Sequence, residues 1–144
     1  MTHLNPNVLL EHVHLPLRAP KLSGQCAAAI VTRFDLDFTV RAGFQGYIGD
    51  ATPDDIRMAL RNLGGMVHVG HTDREIKAWS DLPCDEIALV ALRHHTVFYW
   101  LVWNPYAVKG YFDPSLLHPS KALPQYLQEL RSVPSLYLPV YFTE

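Results

Sequence analysis

Only two cysteines, Cys26 and Cys84, occur in the 144-residue chain, and they stand in dissimilar surroundings. That is too few for a disulfide scaffold, so a hydrophobic core has to hold the fold together. A reducing, cytoplasmic (intracellular) setting is the expectation, with delivery into another cell left open. Met1-Thr-His-Leu-Asn-Pro shows neither the basic n-region nor the apolar h-region of a secretory signal. There is no CxxC pair and no HExxH, so neither His12 and His14 nor His68 and His71 have the companions of a common zinc site. GxxxxGK[ST] is missing too, and Gly43, Gly46 and Gly49 do not form a phosphate loop. No metal and no cofactor is expected. Charge of one sign is equally scarce: 12 Lys+Arg against 14 Asp+Glu leave a net −2, with the basic residues scattered singly. Nucleic acid and an anionic membrane surface are poor partners for such a chain. Crossing a bilayer as a helix takes about 20 apolar residues. The best run, Thr96 to Val108, contains Asn104 and Pro105 and stops at Lys109.

What is present is a globular composition, 49% apolar and 18% charged, enough for one domain with its own core. Nine of the 11 prolines lie in the first twenty residues or after residue 104. Residues 1–22 therefore read as an extended arm and 23–144 as a single domain. At Ser23 the pattern turns helical: Ser23 is placed to cap, three alanines favour helix, and Ala27, Ile30, Val31 and Phe34 share one face. A second helix starts at Thr52, with Pro53 in its first position and Asp54 and Asp55 at the positive end of its dipole. It ends at Gly64-Gly65 and buries Ile56, Ala59, Leu60 and Leu63. A weaker helix is expected over 73–79. Strands follow at 86–93, 95–103 and 110–113, the last two joined through Asn104-Pro105 as an antiparallel pair. A short helix over 123–131 and a closing strand over 136–142, with Pro139 at a sheet edge, complete the pattern. The fold class is α+β, with N-terminal helices packed on a C-terminal antiparallel sheet.

Attack on an amide or thioester carbonyl by cysteine requires a thiolate, a nearby imidazole and a group that orients the imidazole. A helix start suits the thiol, because the dipole lowers its pKa and free N–H groups hold an oxyanion. Cys26 lies in the first turn of the first helix, His95 opens the aromatic strand, and Asp113 ends the next one. Cys84, after Pro83 in a loop, lacks such a context. His94 competes with His95 for the base, and alternation along a strand sends the two to opposite faces. Asn104 is a second candidate orienter, better explained by the turn at Pro105. Phe98, Tyr99, Trp100 and Trp103 read as core, with one face lining a groove.

SGQCAAAI at 23–30, HHTVFYWLVW at 94–103 and GYFDPS at 110–115, then LPQYLQEL and LYLPVYF, resemble the papain-like cysteine peptidase superfamily. The similarity is to its compact members, the bacteriocin-processing peptidase domains and the Josephin-type deubiquitinases. It covers residues 20–142, with the middle unassigned. The resemblance implies a papain-like fold and a cysteine hydrolase acting on a protein or peptide substrate. Cys26 would be the nucleophile forming a thioester, His95 the general base and Asp113 its orienting partner. Deamidase or transglutaminase-like chemistry would use the same triad. One feature departs from the pattern: the oxyanion-hole Gln expected five or six residues before the nucleophile is replaced by Pro20 and Lys21, and Gln25 is adjacent to Cys26. Because losing one oxyanion donor costs on the order of 100- to 1,000-fold in rate, the competing expectation is a catalytically silent papain-like module that binds a protein partner.

Overall fold

The computed structural model describes residues 22–94, 97–105, 111–112 and 134–142. Among these, helices come first and an antiparallel sheet follows, so the domain is α+β. The arm before Leu22, the expected helix over 123–131, His95 and Asp113 all lie outside the described residues.

Helix α1 spans Ser23–Thr32 and is buried from Ser23 through Val31. One glycine and three alanines keep it slender, so neighbours close on every side of it rather than on one stripe. It ends earlier than the apolar spacing predicts. Arg33 turns left-handed (φ 63°) and its N–H closes on Ala29 O at 2.8 Å. Phe34 is thereby taken off the buried face and lies edge-to-face on Phe38, with ring centroids 5.0 Å apart. A short helix, α2 (Leu36–Phe38), is capped by the Asp35 side chain and runs into a π-helical turn at Thr39–Gly43. Gln45 (φ 54°) and Gly46 (φ 85°) then reverse the chain in a tight turn, with Tyr47 N–H donating to Phe44 O at 2.9 Å.

Helix α3 (Pro53–Asn62) forms as its sequence dictates. Thr52 and Asp55 make a reciprocal capping box, Pro53 occupies the first turn, and Ile56, Ala59 and Leu60 are buried. Gly64 and Gly65, both at positive φ (106° and 71°), end it. Arg57 pairs with Asp54 one turn earlier in the helix and ties it to the chain that follows through Gly70 O and Asp73.

Six strands are described: β1 (Val67–Val69), β2 (Arg74–Glu75), β3 (Ala88–His94), β4 (Val97–Trp103), β5 (Tyr111–Phe112) and β6 (Pro134–Phe142). Their order is β1-β6-β3-β4-β5, with β2 also on β6, and every pairing is antiparallel. The expected β4–β5 pair is present, with Val102 opposite Phe112 and Trp103 opposite Tyr111. Two expectations are corrected. The helix over 73–79 is absent: Arg74 and Glu75 pair with Tyr137 and Leu136, and Ile76 N–H donates to Ser135 O. Asp81 Oδ2 accepts the N–H groups of Lys77 and Ala78 and so anchors a 3₁₀ turn at Trp79–Asp81. Sheet pairing and a side-chain acceptor outcompete a helix too short to sustain itself. Pro139 is not on an edge either, since β6 is paired on both sides. Its carbonyl accepts from Gly70 N–H, so its missing donor faces the gap between β1 and β2 and costs no bond to β3.

Alternation along the strands divides the core. Leu89, Ala91, Trp100, Val102, Leu136, Leu138 and Val140 face α1 and α3. Ala88, Val90, Leu92, Leu101 and Tyr137 form the opposite face, where Ile76, Leu82, Tyr99 and Trp103 pack. No helix among the described residues is long and apolar enough to cross a membrane.

Candidate active site

The entry to α1 is where a helix-start nucleophile belongs. Leu22 is the N-cap residue and provides no side-chain cap. Ser23, expected to cap, is instead the first helical residue. It is 2% exposed, and its Oγ accepts the Trp100 N–H at 3.1 Å. The Trp100 donor is thus given to the helix rather than to a neighbouring strand. The Trp100 indole is fully buried and donates from Nε1 to Ala51 O at 2.8 Å. Gly24 makes this fit possible. A Cβ there would stand 2.7 Å from Ala51 Cβ and 3.2 Å from Trp100 Cδ1.

Gln25 is completely buried, and its Nε2 donates to Gly49 O at 3.0 Å and to Tyr47 O at 3.3 Å. The residue the sequence singles out as a misplaced oxyanion donor is therefore a clamp on the 47–49 loop. Its Oε1 has no partner among the described residues. Cys26 follows as the fourth helical residue, so its N–H is the first to close on the N-cap carbonyl and is not a free donor. The side chain has no exposed surface, and burial pushes the thiol up to about 12. That is the reverse of what activation by a helix dipole and an imidazole requires.

His95 and Asp113 lie outside the described residues, so what can be placed is the chain leading to them. His94 pairs with Val97 and Phe112 pairs with Val102. Those two β4 positions are five residues apart, roughly 17 Å along a strand. Ser23 meets β4 between them, at Trp100. Asn104, the second candidate orienter, is buried just after β4. The aromatic run is divided between the two faces of the sheet: Phe98 and Trp100 join the helix-side core, and Tyr99 and Trp103 the other. Cys84 is exposed in the loop before β3, next to Pro83, whose carbonyl accepts the Trp103 Nε1–H at 2.7 Å. His68 is exposed on β1 and stacks on Tyr141. Among the described residues no three His, Cys, Asp or Glu side chains gather as a metal site would require.

Sequence reasoning placed Ser23 at the helix entry as a cap and missed its bond to the Trp100 N–H. The available signal was its neighbour: a glycine directly after a small hydroxyl residue marks a point where the helix meets another element closely. No protein-family model, curated protein or solved structure matches the chain.

Proposed function

We propose that the chain is a catalytically silent module of papain-like descent that binds a protein partner. The observation that carries this reading is the filling of the helix entry. Ser23 holds the first helical position with its hydroxyl engaged by Trp100, and Cys26, one turn further in, has no exposed surface. With burial pushing its thiol up to about 12, Cys26 keeps its proton at neutral pH and presents no activated thiolate. The hydrolase reading, in which Cys26 forms a thioester with His95 and Asp113 as base and orienting partner, needs that thiolate and an open path to it. The deamidase and transglutaminase-like variants need both as well. Two unpaired thiols, Cys26 and Cys84, accord with an intracellular setting.

The test is native-state labelling with iodoacetamide and with an electrophilic acyl-mimicking probe, read by peptide mass spectrometry. The silent module labels at Cys84, and Cys26 reacts only after unfolding. Preferential labelling of Cys26 in the folded protein at mildly acidic pH would overturn the reading and restore the hydrolase.

A further inference from the structure

We infer that the cavity between the 43–47 turn and α3 is a seat for a cationic side chain, lysine or arginine, of a partner protein. The inference deepens the binding-module reading and rests on it for the nature of the partner. The cavity measures about 150 Å³, the size of one that admits benzene in an engineered core, and so suits a single side chain. Gln45 and Tyr47 line it from the turn, and Asp55, Met58 and Asn62 from α3. Asp55 is the only charged residue in that lining.

The polar groups there are matched to a donor. Asp55 Oδ2 accepts the Thr52 N–H at 2.9 Å, and Oδ1 has no partner among the described residues. Asn62 is oriented by one Nδ2 N–H donating to Gly43 O at 3.0 Å, and its oxygen can accept. The Tyr47 ring and the Met58 thioether, both about half exposed, add an aromatic face and a polarisable wall. A carboxylate beside an aromatic face and a spare amide oxygen recognises an ammonium or guanidinium group on an apolar stem.

The seat is also held in place before any ligand arrives. The Tyr47 hydroxyl donates to Asp50 O at 2.8 Å, and the Tyr47 carbonyl accepts from buried Gln25. Gly49 lets the ring lie against the backbone, since a Cβ there would come within 2.8 Å of Tyr47 Oη. Ordering in advance lowers the entropy lost on binding.

The experiment titrates the full chain, labelled in its methionine methyls and side-chain amides, with Nα-acetyl-lysine methylamide, its arginine counterpart and neutral Nα-acetyl-norleucine methylamide. Saturable shifts at Met58 and Asn62 are expected with the two cations. Binding should weaken about tenfold in Asp55→Asn and by a similar factor for the neutral probe. Met58→Lys, a change at an exposed position, places the chain's own ammonium at the rim and should block the cations to the same degree even if the Asp55 variant frays its helix cap. Equal binding of the neutral probe, or cation shifts indifferent to both substitutions, would overturn the seat. So would an absence of saturable shifts. Each of these outcomes leaves the Cys26 labelling result standing, so failure of the seat and failure of the silent-module reading are separately visible.

Discussion

Two ends of one buried glutamine present opposite surfaces. On the α1 side, Ser23 and Gly24 pack against Trp100 and Ala51, Cys26 is buried, and the Ser23 hydroxyl serves packing. On the loop side, the carbonyls held by Gln25 belong to Tyr47 and Gly49, and the surface beyond is open, aromatic and acidic. The difference teaches where chemistry with an outside molecule is feasible. A helix entry whose hydroxyl and small side chains pack into the core turns its polar groups inward. A surface that keeps a carboxylate oxygen and an aromatic face exposed retains binding capacity.

The most severe challenge to this contrast is a pair of truncations. Trp100→Ala should cost about 4 kcal/mol, because it empties a large buried site and strips the partner from Ala51 O. Tyr47→Ala, at a half-exposed ring, should cost about 1 kcal/mol. Urea unfolding measures both, and comparable losses would erase the distinction between a sealed end and an open one. Next comes Ser23→Ala, which leaves the buried Trp100 N–H without its acceptor and should cost about 1–2 kcal/mol. The cation titration of the seat should be unchanged in this variant, and a shift in it would show that the two ends are coupled through Gln25.

An effect comparable to that of Ser23→Ala concerns pH. The Cys26 thiol stands near 12 in the folded state against an ordinary value near 9. Between those values the unfolded chain has lost a proton that the folded chain keeps. The stabilisation is therefore whole below pH 9 and is lost as pH rises towards 12. At pH 10 the loss should be roughly 1–2 kcal/mol relative to neutral pH. Other groups titrate there as well, so the measurement is the difference between wild type and Cys26→Ala in urea midpoints from pH 7 to 10.5. A difference that stays flat across that range would mean the thiol is not sealed.

Local chemistry was plain in the sequence wherever it acts over a few residues. Thr52, Pro53, Asp55, Gly64 and Gly65 mark α3 because capping and left-handed termination depend on near neighbours. The β4–β5 pairing followed from a turn residue between two β-branched, aromatic runs. Arg74–Glu75 was misjudged because its partner, Leu136–Tyr137, lies some sixty residues away. Pro139 was misjudged because the strand on its donorless side is interrupted at Gly70.

Sequence alone was enough for an α+β chain with a capped second helix, an aromatic strand, and a thiol in the first turn of an alanine-rich helix. Apolar spacing, caps and turn residues act locally, and they suffice for that much. Tertiary structure alone made the Ser23 hydroxyl a partner of Trp100 rather than a cap, had Gln25 grip a distant loop, and buried Cys26. Burial and hydrogen-bond partnership come from residues far apart in the chain. The Trp100–Ser23 bond spans 77 positions, and it is burial that raises the Cys26 thiol above its ordinary value.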